Sequence, residues 1–176
     1  IGGTYKTKIL PAVKIIEIIQ KLNEPVILLG GPDDVERAEE ILLSVNGQQT
    51  TDNRLYPQLS NSATQQLISL VGKINLEQSA SIVKKAKSVL TNDTGLMHIA
   101  AAFHKNIVSV WGNTVPELGM YPYLPKEKER CHIVECKDVK CRPCSKLGFK
   151  ECPKRHFKCM MKIDSDTVVE KLKIEN

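Results

Sequence analysis

From its start to about residue 114 the chain alternates between short aliphatic, β-branched runs and longer stretches whose apolar residues recur every three or four positions. A strand repeats every two residues and a helix every 3.6, so neither pattern can adopt the other element without turning apolar side chains to water. Pro11 suits the first turn of a helix, and Ile15, Ile18, Ile19 and Leu22 follow as one apolar stripe. Pro25-Val26-Ile27-Leu28-Leu29, ending at Gly30-Gly31, reads as a buried strand. Asp33 or Asp34 can cap a second helix, with Val35, Ala38, Leu42 and Val45 facing inward and Gly47 just past its end. Residues 48–66 are polar and fit neither period. Leu67-Ile68-Ser69-Leu70-Val71 is again a strand, and Asn75 with Gln78 makes a capping box for a helix carrying Leu76, Ala80, Val83 and Ala86 or Lys87. Ser88-Val89-Leu90-Thr91, residues 95–103 and Ile107-Val108-Ser109-Val110-Trp111 continue as strand, helix and strand. Alternation of this kind implies parallel strands joined by right-handed helical crossovers. The expected fold is a Rossmann-like three-layer α/β/α sandwich around a parallel sheet, with residues 1–176 in a single domain.

Beyond Gly112 the pattern gives way to a Pro-, Cys- and Lys-rich tail, followed by an amphipathic helix at about 165–174 that uses Val168, Val169 and Leu172. The net charge of +5 is concentrated in this tail. Residues 126–162 hold 12 Lys and Arg against 5 Asp and Glu, and all six cysteines fall between Cys131 and Cys159. A basic segment attracts polyanions in general without choosing among them. Cys141, Cys144, Cys152 and Cys159 could together supply four thiolates to zinc, although six residues between the second pair is a loose spacing for a structural site. Reduced cysteines packing a loop-rich tail are the expectation. No apolar run approaches the ~18–20 residues of a membrane span. Ile1-Gly2-Gly3-Thr4 has neither an initiator Met nor the regions of a signal peptide, so an N-terminal part is expected upstream.

In open α/β sheets, ligands sit beyond the carboxyl ends of the strands. The most polar junction of that kind is Thr91-Asn92-Asp93-Thr94-Gly95-Leu96-Met97-His98, where a strand runs into Asp93 and a helix starts at Thr94 or Gly95. Free amides and the positive end of the helix dipole favour a phosphate there. Gly95 lets backbone approach the ligand, Thr94 offers a hydroxyl, Asp93 can accept from a hydroxyl or fix the turn, and His98 lies one helical turn further in. The plainer alternatives are an ordinary Asp-Thr helix cap and a packed core histidine. Neither a Walker lysine nor GxGxxG spacing is present.

The run Asn92-Asp93-Thr94-Gly95-Leu96-Met97-His98-Ile99-Ala100-Ala101-Ala102, followed by Val108-Ser109-Val110-Trp111-Gly112-Asn113-Thr114-Val115-Pro116, resembles the signature of glycosyltransferase family 9. That family includes the ADP-heptose:lipopolysaccharide heptosyltransferases of bacteria. Gly2-Gly3-Thr4-Tyr5-Lys6-Thr7-Lys8-Ile9-Leu10-Pro11 resembles the opening of the family's C-terminal domain. Cys141-Arg142-Pro143-Cys144 with Cys152-Pro153-Lys154-Arg155-His156-Phe157-Lys158-Cys159 is similar to its cysteine-bearing tail.

The resemblance implies the C-terminal, sugar-nucleotide-binding half of a two-domain GT-B enzyme. In that reading Asp93, Thr94, Gly95 and His98 contact the donor diphosphate and its surroundings, Thr4 and Lys8 reach the phosphates from the opposite loop, and Gly31, Asp33 and Ile74 approach the nucleoside. The transfer is inverting and needs no cofactor, because amides, a hydroxyl, an imidazole and an ammonium can stabilise the leaving diphosphate. The general base lies on an N-terminal acceptor domain, so this chain alone binds donor without efficient turnover. Implied partners are the nucleotide-sugar donor, probed as ADP-heptose, a lipopolysaccharide-core acceptor, the N-terminal domain and an anionic membrane surface, with no nucleic acid. The implied location is cytoplasmic, at the inner face of the inner membrane. Two other functions compete: a nucleic-acid-binding module built on the basic Cys-rich tail, for which only Phe149 and Phe157 could stack, and a non-catalytic nucleotide-binding Rossmann domain.

Overall fold

The computed structural model describes residues 1–46 and 66–173. Strands β1 (Val26–Leu28), β2 (Leu67–Ser69), β3 (Ser88–Asn92), β4 (Asn106–Trp111) and β5 (Cys131–Glu135) alternate with helices α1 (Ala12–Leu22), α2 (Val35–Asn46), α3 (Leu76–Lys85) and α4 (Gly95–Ala102). Helices α5 (Lys158–Met161) and α6 (Ser165–Leu172) close the chain. Every strand pairing is parallel: β1 with β2, and β3 with β4 and β5 in that order.

Strand β4 explains the layering. All six of its residues are buried, so it is covered on both faces. Val108 and Val110 join a core with Ile15, Ile16, Ile18 and Ile19 of α1, Ile41 of α2, Leu28 of β1 and Val168 of α6. Ile107 and Trp111 face the other way, against Val83 of α3 and Met97, Ala100 and Ala101 of α4. Helices on both sides of a parallel sheet are the three-layer sandwich that the alternation predicts.

Several elements sit where their local signals put them. Asn75 caps α3 through a reciprocal box, its Oδ1 accepting from Gln78 N–H (2.8 Å) while Gln78 Oε1 accepts from Asn75 N–H (3.0 Å). Helix α6 starts after Asp164, whose carboxylate accepts from the N–H groups of Asp166 and Thr167.

Five expectations change. Strand β1 is not buried along its length: Ile27 is 45% exposed and only Leu28 is fully buried. Neither Asp33 nor Asp34 caps α2. A short 3-10 turn precedes that helix, and the Asp34 carboxylate reaches back to accept from Gly31 N–H at 3.0 Å. The inner face of α2 is built on Ala38 and Ile41, while Val35 is exposed and Leu42 only half-buried. Leu76, the first residue of α3, is exposed at 65% instead of packing inward. Strand β5 was not anticipated, because its half-exposed Cys-His-Ile-Val-Glu carries no clean alternation and is specified by pairing with β4. Gly47, the polar stretch at 48–65 and Ile174 lie outside the described residues.

Candidate functional site

The parallel strands bring four loops to their carboxyl ends: Gly30-Gly31 after β1, Val71-Gly72 after β2, Asp93-Thr94 after β3 and Gly112-Asn113-Thr114 after β4. Residues 1–10 run across them. The buried Asn92 holds this segment, its Oδ1 accepting from Leu10 N–H (3.1 Å) and its Nδ2 donating to Gly2 O (3.2 Å). A Cβ on Gly2 would collide with the Asp34 carboxylate, and one on Gly3 would touch Thr94 Cγ2 at 3.5 Å. The opening segment thus spans the β1 and β3 loops and leaves Thr4 exposed beside them.

At the centre, Lys8 Nζ meets Asp93 Oδ2 at 2.6 Å, with both side chains about nine-tenths buried. Thr114 Oγ1 donates to the same oxygen at 3.1 Å. Among the described residues Asp93 Oδ1 has no hydrogen-bond partner, and an ammonium has three donors of which this pair uses one. The cluster therefore retains both acceptor and donor capacity while its charges neutralise each other.

Thr94 is the N-cap residue of α4 by backbone, but its side chain makes no cap bond and contacts Thr91 Oγ1 at 3.3 Å instead. The simple-cap alternative therefore fails, and the first amides of α4 are left without a side-chain acceptor. Gly95 is exposed, and nothing lies within 4 Å of where its Cβ would be. His98 is exposed on α4 and, among the described residues, its ring makes no hydrogen bond, which removes the packed-core alternative.

The weaker candidates also converge. Gly72 N–H donates to Gly30 O at 3.2 Å, placing the turn that leads to the half-buried Ile74 against the loop of the exposed Gly31 and Asp33.

Four contributors lie outside the sequence candidates. Thr114 lies in the quoted Gly-x-Thr-x-Pro stretch, yet its bond to Asp93 depends on tertiary contact. Asn113 is 2% exposed and neither atom of its side-chain amide has a partner among the described residues. Arg142 is a cation of the basic tail whose side chain is buried: its guanidinium donates to the carbonyls of Gly112, Trp111 (3.2 Å), Thr114 (3.0 Å) and Cys136 (2.9 Å) and pairs with Glu135 at 2.8 Å. It fixes the β4 loop that presents Thr114. Thr7 couples the tail to the same edge, exchanging hydrogen bonds with Phe149 N–H (2.8 Å) and O (3.0 Å).

Fold and cradle define a Rossmann-like α/β domain whose strand ends carry a polar, cation-bearing ligand edge. Residues 2–150 match the signature of Glycosyltransferase family 9 (heptosyltransferase), and the chain belongs to that family. Over 100 residues it is 33% identical to lipopolysaccharide heptosyltransferase 2 of Salmonella typhimurium, covering 56% of this chain and 25% of that protein. Over 161 residues it is 26% identical to lipooligosaccharide heptosyltransferase 2 of Haemophilus ducreyi, covering 90% of this chain and 40% of that protein. The structure of E. coli ADP-heptose LPS heptosyltransferase II shares the fold with a TM-score of 0.65 and 22% identity, over 97% of this chain and 43% of that one. E. coli heptosyltransferase WaaC with ADP-2-deoxy-2-fluoro heptose gives a TM-score of 0.56 and 20% identity, over 96% and 39% of the two chains. The chain thus spans between a quarter and about two fifths of the length of these relatives.

Proposed function

We propose that this chain is the C-terminal, donor-binding half of an inverting heptosyltransferase that acts in lipopolysaccharide core or related glycan biosynthesis, with ADP-heptose as the donor. One observation carries the reading: the uncapped N-terminus of α4 opens beside the buried Lys8–Asp93–Thr114 cluster, at the carboxyl ends of parallel strands. The α4 amides and Lys8 take the diphosphate, Thr94 and His98 donate to its oxygens, and Asp93 both holds Lys8 and accepts from a donor hydroxyl. Thr4 closes the cradle from the opposite loop, and the Gly31, Asp33 and Ile74 loops border the nucleoside. As the glycosidic bond breaks, negative charge collects on the departing diphosphate, where these donors bind it more strongly than in the ground state. The diphosphate therefore leaves without a metal. The side-chain amide of Asn113, next to Thr114, has no partner among the described residues, and a buried amide left unpaired costs about 1–3 kcal/mol. A donor reaching that loop can hydrogen-bond this amide.

On this reading the general base comes from the acceptor domain, and turnover needs the length that the relatives have in addition. The basic tail then faces anionic lipid at the cytoplasmic side of the inner membrane. Calorimetric titration with ADP, UDP, GDP and ADP-heptose tests the donor site. ADP and ADP-heptose should bind, and Asp93→Ala and Lys8→Ala should each weaken binding by roughly tenfold or more, one charge-assisted hydrogen bond being worth about 1.5–3 kcal/mol. Equal binding by both variants, or no response to any of the four ligands, refutes the assignment.

A further inference from the structure

The tail holds a second electropositive place, set apart from the Lys8–Asp93–Thr114 cluster. A cavity of about 340 Å³ is lined by Lys140, Lys154, Lys158, Lys162 and His156, with Asp138 as its one carboxylate. Its volume falls at the small end of ligand pockets, about 300–1,000 Å³. The cations arrive from separate stretches of chain. Lys140 belongs to the segment after β5, Lys154 and His156 to the loop before α5, and Lys158 and Lys162 begin and follow α5.

Both walls are tied to the body of the domain. Val139, between Asp138 and Lys140, is buried in the core with Cys159 and Met160 of α5, and its carbonyl accepts from Arg142 N–H at 3.1 Å. On the other wall Lys158 N–H donates to His156 Nδ1 at 3.1 Å, so the neutral ring carries its proton on Nε2. That nitrogen stands 3.8 Å from Cys141 Sγ, and a thiol sulfur is a weak acceptor that an anionic oxygen outcompetes.

The charges here lack what lysines elsewhere in the chain have. Lys8 pairs with Asp93, Lys14 and Lys21 with Glu17, and Lys171 with Glu170. Among the described residues none of the four lysines around this cavity has an ion-pair partner. Lys162 N–H donates to Lys158 O at 3.0 Å, which sets these two like charges one helical turn apart, a spacing that destabilises a helix. Four ammonium groups against one carboxylate form a focused positive field that an anion would relieve.

The lining also selects the anion. Among the described residues no Phe, Tyr or Trp lines the cavity, so nothing there stacks a base. Lysine ammoniums are point donors suited to phosphate oxygens. The excess of positive charge favours a dianion, and a phosphate monoester carries about −1.5 to −2 charges at neutral pH, whereas a diester carries roughly one.

We propose that this cavity is a binding site for a phosphate monoester, with Lys140, Lys154, Lys158 and Lys162 supplying the charge and His156 Nε2 donating to a phosphate oxygen. The segment that bears Asp138 and Lys140 leaves β5 at the sheet edge where β3 runs into Asp93, since β3, β4 and β5 are parallel neighbours. Two strand spacings, about 10 Å, separate the ends of β3 and β5. A phosphorylated glycan, or the headgroup of a lipid that carries one, can span that distance. That the phosphate belongs to the acceptor rests on the donor-half reading, whereas the site itself does not.

The full chain is titrated calorimetrically at low ionic strength and a pH of about 7.5, where a monoester is largely dianionic. Glucose 6-phosphate, a monoester, should bind about fivefold or more tighter than dimethyl phosphate, a diester. Lys158→Glu and Lys140→Gln, on separate segments, should each weaken the monoester by roughly fivefold to tenfold. Lys85→Glu alters net charge as much as Lys158→Glu does, at an exposed position on α3, and should shift affinity by less than about twofold. Vesicles of phosphatidylcholine with phosphatidic acid, or with phosphatidylglycerol at matched surface charge, then identify the carrier by co-sedimentation. Preference for phosphatidic acid assigns a lipid headgroup, and equal retention alongside glucose 6-phosphate binding assigns a phosphorylated glycan. Absence of monoester binding, equal affinity for monoester and diester, undiminished affinity in Lys158→Glu and Lys140→Gln, or an equal loss in Lys85→Glu overturns the proposal. A chain that binds the monoester through these lysines but no ADP refutes the donor assignment and leaves this site standing.

Discussion

Lys8 and Arg142 are both buried cations, and each is buried because its charge is fully engaged. Isolated in an apolar interior, either would cost far more than a domain can tolerate. Lys8 meets one carboxylate, whereas Arg142 uses all three guanidinium nitrogens to reach four carbonyls and Glu135. That difference makes Arg142 the less replaceable of the two. Arg142→Lys keeps the charge but cannot match the planar fork, and it should lose about 2–4 kcal/mol in a urea unfolding titration through carbonyls left unpaired. A cost below about 0.5 kcal/mol, the range of ordinary surface changes, would show that the fork does not hold the β4 loop. At this scale the sequence revealed Asp93, Thr94 and His98 as polar residues at a strand–helix junction. It could not reveal Arg142, because nothing in Cys-Arg-Pro-Cys distinguishes a buried guanidinium from a solvated one.

Elements were legible wherever a local rule fixes them. The Asn75–Gln78 box, the α1 stripe and strand β4 follow from local pattern alone. Strand β5 and the Asp34 contact were not, since both are decided by distant backbone. The turn after β2 is equally strict. Gly72 sits at φ +69°, and a Cβ there would come within 2.7 Å of Val35 Cγ2. Gly72→Ala should therefore destabilise by about 1 kcal/mol or more, with thermal unfolding as the readout. Helix α6 gives a pH test. The Thr167 hydroxyl, and then the Asp166 and Thr167 N–H groups, hold the Asp164 carboxyl below its usual range. A depressed carboxylate stabilises the fold above its unfolded value near ~3.9 and loses that contribution as pH falls through its lower folded value. The urea midpoint should drop as the pH is taken below about 4, and Asp164→Ala should flatten that acid limb. An unchanged slope in the variant would remove Asp164 from the account.

For the whole molecule, the proposed donor cradle is assembled from strand ends, opening segment and tail together, so a ligand held there should stabilise the assembled state. Nucleotide at about 100 times its dissociation constant should add roughly 2.7 kcal/mol, and a matching rise in melting temperature should vanish in Asp93→Ala. A shift that persists in the variant would place the nucleotide elsewhere. Sequence by itself determined the alternation, the parallel three-layer sandwich and the polar junction at Asp93, because hydrophobic period and helix-terminus chemistry act over a few neighbouring residues. Tertiary structure alone decided which groups face Asp93, why Thr94 leaves its helix uncapped, and that Arg142 is buried under the β4 loop. Those outcomes depend on contacts between segments far apart in the chain, and no local rule carries information over that distance.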